Sequence, residues 1–425
     1  DSVTVPGAVA GWVALSEKFG KLPFGDLLAP AIEVAERGYA VPVIVQQKWA
    51  AAVPVLEQGP GWADAFMPHG RAPEVGERFA FAAAARSLRA IAATRGSALY
   101  GGEIAAAAAA HSRANGGGIE VADFAAYRPE WVEPIGVDAY GHRLHEIPPN
   151  GQGIAALVAI GILRHFDIES LPIDSAESQH LQIEAMKLAF ADVYAHVADA
   201  RSMRCTPAQM LDDTYLREQA RRIDPQRAQI FGAGNLARGG TIYLSAADES
   251  GMMVSFIQSN YMGFGSGIVV PGWGLSMQNR GHGFVLDPAH ANAVAPGRRP
   301  FHTIIPGFLT EDGQPRMSFG VMGGNMQPQA HLQTLVRMLA HRQQPQAACD
   351  APRWRVNDGL ELNVEATTAP ATVQGLADRG HRLEVIEDSY MDFGAGQFVW
   401  RLGDAGVDGY VAASDSRRDG LAAGW

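Results

Sequence analysis

An α+β fold, layered from helices and sheets, is predicted by three features of the sequence. Up to Gly240 the chain is dominated by segments whose apolar residues recur every three or four positions. Beyond it the chain is dominated by short alternating runs, the pattern of half-buried strands. The change of texture is sharp and falls at Gly239-Gly240-Thr241. With 47% hydrophobic and 19% charged residues over 425 positions, the chain can fill a large core and lacks the signature of disorder. Its 34 Lys and Arg against 45 Asp and Glu leave a net charge of −11 with no basic cluster, which argues against nucleic acid as a partner. No apolar run approaches the roughly 18–20 residues that a membrane span needs.

The elements follow in order. Helices are expected over 9–19, over 24–37 with Gly38 as a left-handed stop, and over 79–94 closed by Gly96. The alanine-rich stretch 102–115 has the propensity for a fourth helix and ends at Gly116-Gly117-Gly118. Residues 131–147 alternate about Tyr140-Gly141 and read as a strand pair, after which Pro148-Pro149-Asn150-Gly151 breaks into a helix over 154–165. A long amphipathic helix is expected over 178–198, polar turn material over 205–227, and an exposed, glycine-rich loop over 230–240. Two runs, 241–247 and 252–261, flank Asp248-Glu249-Ser250-Gly251 and make a hairpin. Strands over 316–321, 360–364, 382–386 and 397–402 and helices over 329–343 and 371–379 complete the reading.

Missing motifs narrow the chemistry. The chain has no phosphate-cradling loop, since Gly263-Phe264-Gly265-Ser266-Gly267 carries no lysine, no Gly-x-Ser-x-Gly elbow and no His-Glu-x-x-His. Two cysteines, Cys205 and Cys349, allow at most one disulfide and no cysteine metal site. His142 and His145 read as surface histidines of a strand or turn, so neither a metal nor another cofactor is expected.

Thr241, at the start of a strand and after two glycines, is the residue that invites a chemical reading. A threonine hydroxyl is a weak nucleophile without a base, and an N-terminal threonine supplies one in its own α-amine. Using that device requires a cut between Gly240 and Thr241, and the glycines permit the strained backbone in which the hydroxyl reaches the Gly240 carbonyl. A plain loop-to-strand transition is the competing reading of the same residues.

The ordered set Gly239-Gly240-Thr241-Ile242-Tyr243-Leu244, Tyr261-Met262-Gly263-Phe264-Gly265-Ser266-Gly267, Arg298-Arg299-Pro300-Phe301-His302-Thr303 and Met322-Gly323-Gly324 resembles the gamma-glutamyltranspeptidase family. Upstream, Val5-Pro6-Gly7, Leu28-Ala29-Pro30-Ala31-Ile32 and Pro148-Pro149-Asn150-Gly151-Gln152-Gly153 extend the likeness over essentially the whole chain. The resemblance implies a four-layer αββα N-terminal-nucleophile hydrolase sandwich, made as one precursor. It implies one domain in two parts, 1–240 as large subunit and 241–425 as small subunit beginning with the nucleophile. Thr241 falls on the catalytic threonine and Gly323 and Gly324 on the glycine pair whose N–H groups form an oxyanion hole. The implied substrates are a small γ-glutamyl or related acyl amide and an acceptor, which is water, an amine or an amino acid.

An ungapped count from Thr241 also shows departures. Ser259 stands where the family has a threonine beside the nucleophile, and Tyr261 where the transpeptidases have an asparagine. Arg280 and Gly283 replace an amide or acid and an aspartate that hold the glutamyl α-ammonium, while His302 and Thr303 replace paired serines. The family's carboxylate-gripping arginine belongs ahead of Val5-Pro6-Gly7, so a longer gene product is expected. A desamino acyl group such as glutaryl, as in the cephalosporin acylases, therefore competes with γ-glutamyl. The other alternative is an unprocessed, non-catalytic binding protein on the same fold.

Overall fold

The computed structural model describes residues 2–232 and 240–425. The chain forms two compact units, one made of the chain up to Trp131 together with Asn260–His282, the other of Val132–Ser259 and Gly283–Trp425. None of the three boundaries falls at Thr241. No helix among the described residues is long and apolar enough to cross a membrane.

The first unit is mainly helical, with α1 (Ala8–Phe19), α2 (Phe24–Arg37), α3 (Val43–Leu56), α4 (Ala82–Thr94) and α5 (Glu103–Ala114). Gly38 ends α2 where its position in the sequence predicts, but with φ 76° and ψ 168° its backbone is extended rather than the left-handed helical cap expected, a conformation open to glycine. Helix α4 starts three residues later than the expected Phe79, because Phe79 pairs with Tyr39 in a two-residue strand. Trp49, Trp62, Phe66 and Phe79 build an aromatic core into which Phe264, from the second segment, inserts at 4.7 Å from the Phe66 ring.

In the second unit a six-stranded antiparallel sheet is ordered β11 (Tyr410–Ser414), β10 (Ala395–Arg401), β6 (Gln314–Met322), β5 (Gly307–Glu311), β2 (His142–Glu146) and β1 (Ile135–Ala139), and a three-stranded sheet is made of β7 (Trp354–Asp358), β8 (Glu361–Glu365) and β9 (Arg382–Ile386). Helix α6 (Gly153–Leu163) covers β1 and β2, and α8 (Met326–Leu335) covers β6. Every residue of α6 is buried, so its apolar surface runs all round, and each of its large aliphatic side chains contributes about 1.5–3 kcal/mol by leaving water. Behind it lies α7 (Ala176–His196). The expected amphipathic pattern fails here, because the fold covers both faces of α7 from Ser178 to Phe190.

The polar stretch after Cys205 holds two short helices, Pro207–Met210 and Asp213–Ala220, capped by the side chains of Thr206 and Asp212. Most of the glycine-rich loop expected over 230–240, including Gly239, lies outside the described residues. Cys205 and Cys349 are both free thiols.

The hairpin of β3 (Gly240–Ala247) and β4 (Met253–Tyr261) lies on the other face of the six-stranded sheet, where β3 crosses β6 and β10. A glycine makes that approach possible. A Cβ on Gly320 would sit 2.4 Å from the Tyr243 ring, so the absence of a side chain there sets the gap between the two sheets. Three hydroxyls close the seam: Tyr243 OH lies 2.8 Å from both Ser245 Oγ and Ser255 Oγ, which donate onward to the carbonyls of Ser318 and Phe319. On its outer face β3 leaves Ile242 and Leu244 largely exposed.

Gly320→Ala is expected to force the sheets apart and destabilise the protein by about 1–3 kcal/mol, read as a lowered midpoint in chemical denaturation. An unchanged midpoint would mean that the Tyr243 ring swings aside freely.

Candidate active site

Thr241 is the second residue of β3, nearly buried, and its Oγ1 donates to Ser259 Oγ of β4 at 3.0 Å. The sheet crossing fixes where this pair lies. Tyr243 sits over Gly320 and Ser245 over Ser318, so the two strands run in opposite directions. Two residues back along β3 is Thr241, and two residues on along β6 is Met322, followed at once by Gly323 and Gly324.

That glycine pair turns β6 into α8. Gly323 has φ 127° and Gly324 φ 61°, and a Cβ on Gly323 would meet Gly394 Cα at 3.1 Å and Met326 Cβ at 3.2 Å. The Gly323 carbonyl accepts from Met326 N–H at 3.1 Å and the Gly324 carbonyl from Gln327 N–H at 3.2 Å. In a trans peptide N–H and C=O point opposite ways, so the Gly324 N–H faces away from the helix it precedes. The start of a ten-residue helix adds positive potential on that side.

Two further segments are laced to this turn. His302 N–H donates to Asn150 O at 3.0 Å, Gln152 N–H donates to His302 O at 2.9 Å, and Asn150 Nδ2 donates to Pro300 O at 2.6 Å. Gln152 Nε2 donates to Thr303 O at 2.6 Å and to Gly324 O at 2.9 Å. Thr303 is buried and His302 half-buried. Asp199 anchors the approach to His302. It receives Arg299 N–H at 2.9 Å and Arg201 Nη2 at 2.7 Å, and these bonds, the Arg201 side chain first, hold its carboxyl well below the usual carboxylate range.

A buried pair braces the end of β6. His331 Nε2 accepts from Val321 N–H at 3.3 Å, so the ring proton is on Nδ1 and donates to Glu146 Oε1 at 2.7 Å. Burial pushes the Glu146 carboxyl up, opposed by His331. Sequence reasoning gave no role to Gln152, Asp199, Glu146 or His331. The Pro148–Gly153 motif and the inward phase of Glu146 on an alternating strand were the available signals.

Thr241, Ser259, His302, Thr303, Gly323 and Gly324 thus belong to one compact unit. Tyr261 and Arg280 belong to the other, where the guanidinium lies 4.9 Å from the centre of the Tyr261 ring. Arg280 is buried, and desolvation lowers its pKa to about 9. Gly283 returns to the second unit, its carbonyl taking a bond from Asn292 Nδ2. A Cβ there would be 2.5 Å from Phe301 O, so the backbone at Gly283 has no room for a carboxylate.

One group has the composition of a metal site. His180, Glu184 and His381 place ligand atoms within 4.8 Å of one another. The Asp224 carbonyl, 2.8 Å from His180 Nε2, fixes the proton there, so His180 Nδ1 accepts from His381 Nε2 at 2.8 Å. Lys187 Nζ already neutralises Glu184 Oε1 at 2.7 Å, and both ends of that pair hold the backbone of Gln229. The cluster is a brace rather than a cation cage. His142 and His145 turn to separate partners, Tyr140 O and Thr310 Oγ1.

Comparison with known proteins matches residues 1–425 to the family model described as gamma-glutamyltranspeptidase. The chain is 33% identical over 433 residues to the glutathione hydrolase-like YwrD proenzyme of Bacillus subtilis (strain 168), covering 100% of this chain and 81% of the relative. It is 34% identical over 438 residues to the oxamate amidohydrolase proenzyme of Klebsiella pneumoniae, with the same coverage of 100% and 81%. Among solved structures, the cephalosporin acylase from Bacillus halodurans superposes with a TM-score of 0.94 at 46% identity, over 100% of this chain and 78% of that one.

The Asp199 anchor has a pH signature. A carboxyl whose pKa is depressed on folding adds stability above its unfolded value, about 3.9, and loses it as pH falls through the folded one. Asp199→Asn is expected to cost about 1.5–3 kcal/mol at pH 7 and about 1 kcal/mol less at pH 3, where the unfolded carboxyl is mostly protonated and the folded one still ionised, by denaturant midpoints at the two pH values. An equal loss at both would remove the charge from the anchor.

Proposed function

Because the chain belongs to the gamma-glutamyltranspeptidase family, we propose that it is an autoprocessing amidase and acyltransferase that uses Thr241 as nucleophile and needs no cofactor. The observation that carries this reading is the Thr241 hydroxyl held on Ser259, on the strand whose crossing leads to the Gly323–Gly324 turn. The parts 1–240 and 241–425 are its large and small subunits, and the six-stranded sheet draws strands from both.

In maturation the Thr241 hydroxyl adds to the Gly240 carbonyl, the acyl group shifts from nitrogen to oxygen, and water hydrolyses the ester. The products are a carboxylate on Gly240 and a free α-amine on Thr241. That amine then takes the Oγ1 proton as Oγ1 attacks the substrate's amide carbon. The tetrahedral oxyanion is received by the Gly323 and Gly324 N–H groups at the start of α8. Collapse expels the amine product, which leaves with the proton held by the Thr241 ammonium, and the acyl-threonine passes to water or to an amine.

The acyl group is a γ-glutamyl-type chain, with a desamino acyl chain ending in a carboxylate as the rival. A specific observation favours the rival. At Gly283 the backbone lies against Phe301 O, so no acid can stand there to pair a substrate ammonium. Leaving one partner of a desolvated pair unmatched costs about 2–5 kcal/mol. Arg280 offers a planar fork suited to a carboxylate, and the similarity to a cephalosporin acylase points the same way.

Intact mass of purified protein should show fragments 1–240 and 241–425, while Thr241→Ala stays whole and turns over nothing. Wild-type protein that remains one chain and is nevertheless active would remove Thr241 from its role. One that remains whole and inactive would point to the binding-protein alternative.

On the mature enzyme, kcat/KM for glutaryl-p-nitroanilide is expected to equal or exceed that for γ-glutamyl-p-nitroanilide, with Arg280→Ala reducing the former more. A γ-glutamyl preference of about tenfold or more corresponds to at least about 1.4 kcal/mol and would place the ammonium on another residue.

A further inference from the structure

We propose that Gln152 is the positioning residue of the oxyanion hole, acting through its side-chain amide to fix the Gly324 peptide and its spacing from Thr303. This rests on the reading above, in which the Gly323 and Gly324 N–H groups receive the oxyanion.

Glycines have no side chain to hold their orientation, so the direction of the Gly324 N–H depends on what binds the neighbouring peptide planes. The plane before Gly324 is tied by Gly323 O to Met326 N–H, and the plane after it by Gly324 O to Gln327 N–H at 3.2 Å. Gln152 Nε2 adds a further bond to the second carbonyl, at 2.9 Å from outside the turn. With both planes held, φ and ψ of Gly324 are determined. The same NH2 group donates its other hydrogen to Thr303 O at 2.6 Å, so one planar amide sets the distance between two segments of the site.

The chemistry requires an amide in this orientation. Reversed, it would set its oxygen against two carbonyl oxygens. Gln152 is fully buried, its Oε1 has no hydrogen-bond partner among the described residues, and its own backbone N–H is bonded to His302 O. A buried acceptor left unpaired is unfavourable by about 1–3 kcal/mol, which an apolar side chain of similar shape would avoid. The donor pair is therefore the property the site uses.

The test compares Gln152→Met, of similar length without donors, with Gln152→Glu, which can donate one hydrogen only when neutral. Each is processed to the two-chain form and assayed with whichever anilide the wild type turns over faster. Gln152→Met should lose about 10- to 100-fold in kcat, less than deletion of a hole donor, with KM within about threefold. In Gln152→Glu the ionised carboxylate is repelled by both carbonyls. The ratio of its kcat to that of the wild type should rise at least about tenfold as pH is lowered from about 8 to about 5.

A role in packing alone would give equal, pH-independent losses in the two variants, which would overturn the proposal, as would wild-type kcat in either. Failure of both to fold or mature would also overturn it, since a positioning role leaves the fold intact. Gly324→Ala separates the two levels. If Gly324→Ala keeps full kcat, the oxyanion-hole reading itself has failed. If it loses kcat while the Gln152 variants do not, only the assignment of Gln152 falls.

Discussion

The candidate site depends on how closely two sheets approach each other. Tyr243 lies against a bare backbone at Gly320, and the hydroxyls of Tyr243, Ser245 and Ser255 knit the β3–β4 hairpin to the carbonyls of β6. Because the strands cross at that contact in opposite directions, the first residues of β3 come to the last residues of β6. The same crossing that packs the core therefore leads a hydroxyl toward a pair of backbone N–H groups. Neither strand carries this information alone, and a wider gap would separate the groups without disturbing either one.

Around that crossing, the turn at Gly323 and Gly324 is held from several directions. Helix α8 ties the carbonyls from one side, Gln152, itself bonded to His302 and Thr303, ties Gly324 O from another, and the Glu146–His331 pair secures Val321 just upstream. Most of these partners are backbone groups or neutral side chains. Preorganised dipoles of this kind stabilise developing charge without having to reorient as it appears. Asp199, the charged member, works at the margin of the site, where its bond to Arg299 N–H fixes the course of the chain into His302 and Thr303.

Much of this was legible in the sequence, and the limits have physical causes. The helix Phe24–Arg37 and its Gly38 stop are local in origin, as are the hairpin strands about Asp248-Glu249-Ser250-Gly251, and both stand where their patterns place them. Helix α7 defeats the amphipathic reading because its polar residues, among them His180, Glu184 and Lys187, are buried against one another and against the 224–229 segment. The strands Trp354–Asp358 and Tyr410–Ser414 escaped notice because neither alternates: Trp354, Arg355 and Val356 are buried in succession, and Tyr410-Val411-Ala412-Ala413 has no polar residue to mark one face. Gln152 sat in a recognised motif without a role. Its partners, Thr303 and Gly324, lie more than a hundred residues away, and no local pattern records a bond of that span.

The six-stranded sheet has a consequence for the order of events in the life of the molecule. Strands β1 and β2 precede Thr241, while their neighbour β5 and the rest of the sheet follow it. Folding of the precursor is unimolecular, and its equilibrium does not depend on concentration. After the proposed cleavage before Thr241 the same hydrogen bonds between β2 and β5 would join two separate chains, so the native state would become a heterodimer whose apparent stability rises with concentration. Dilution, harmless to the precursor, then favours the unfolded pieces. A sheet completed before that bond is broken forms without this dependence, whereas a cleaved molecule that once unfolds must find its other half again by diffusion.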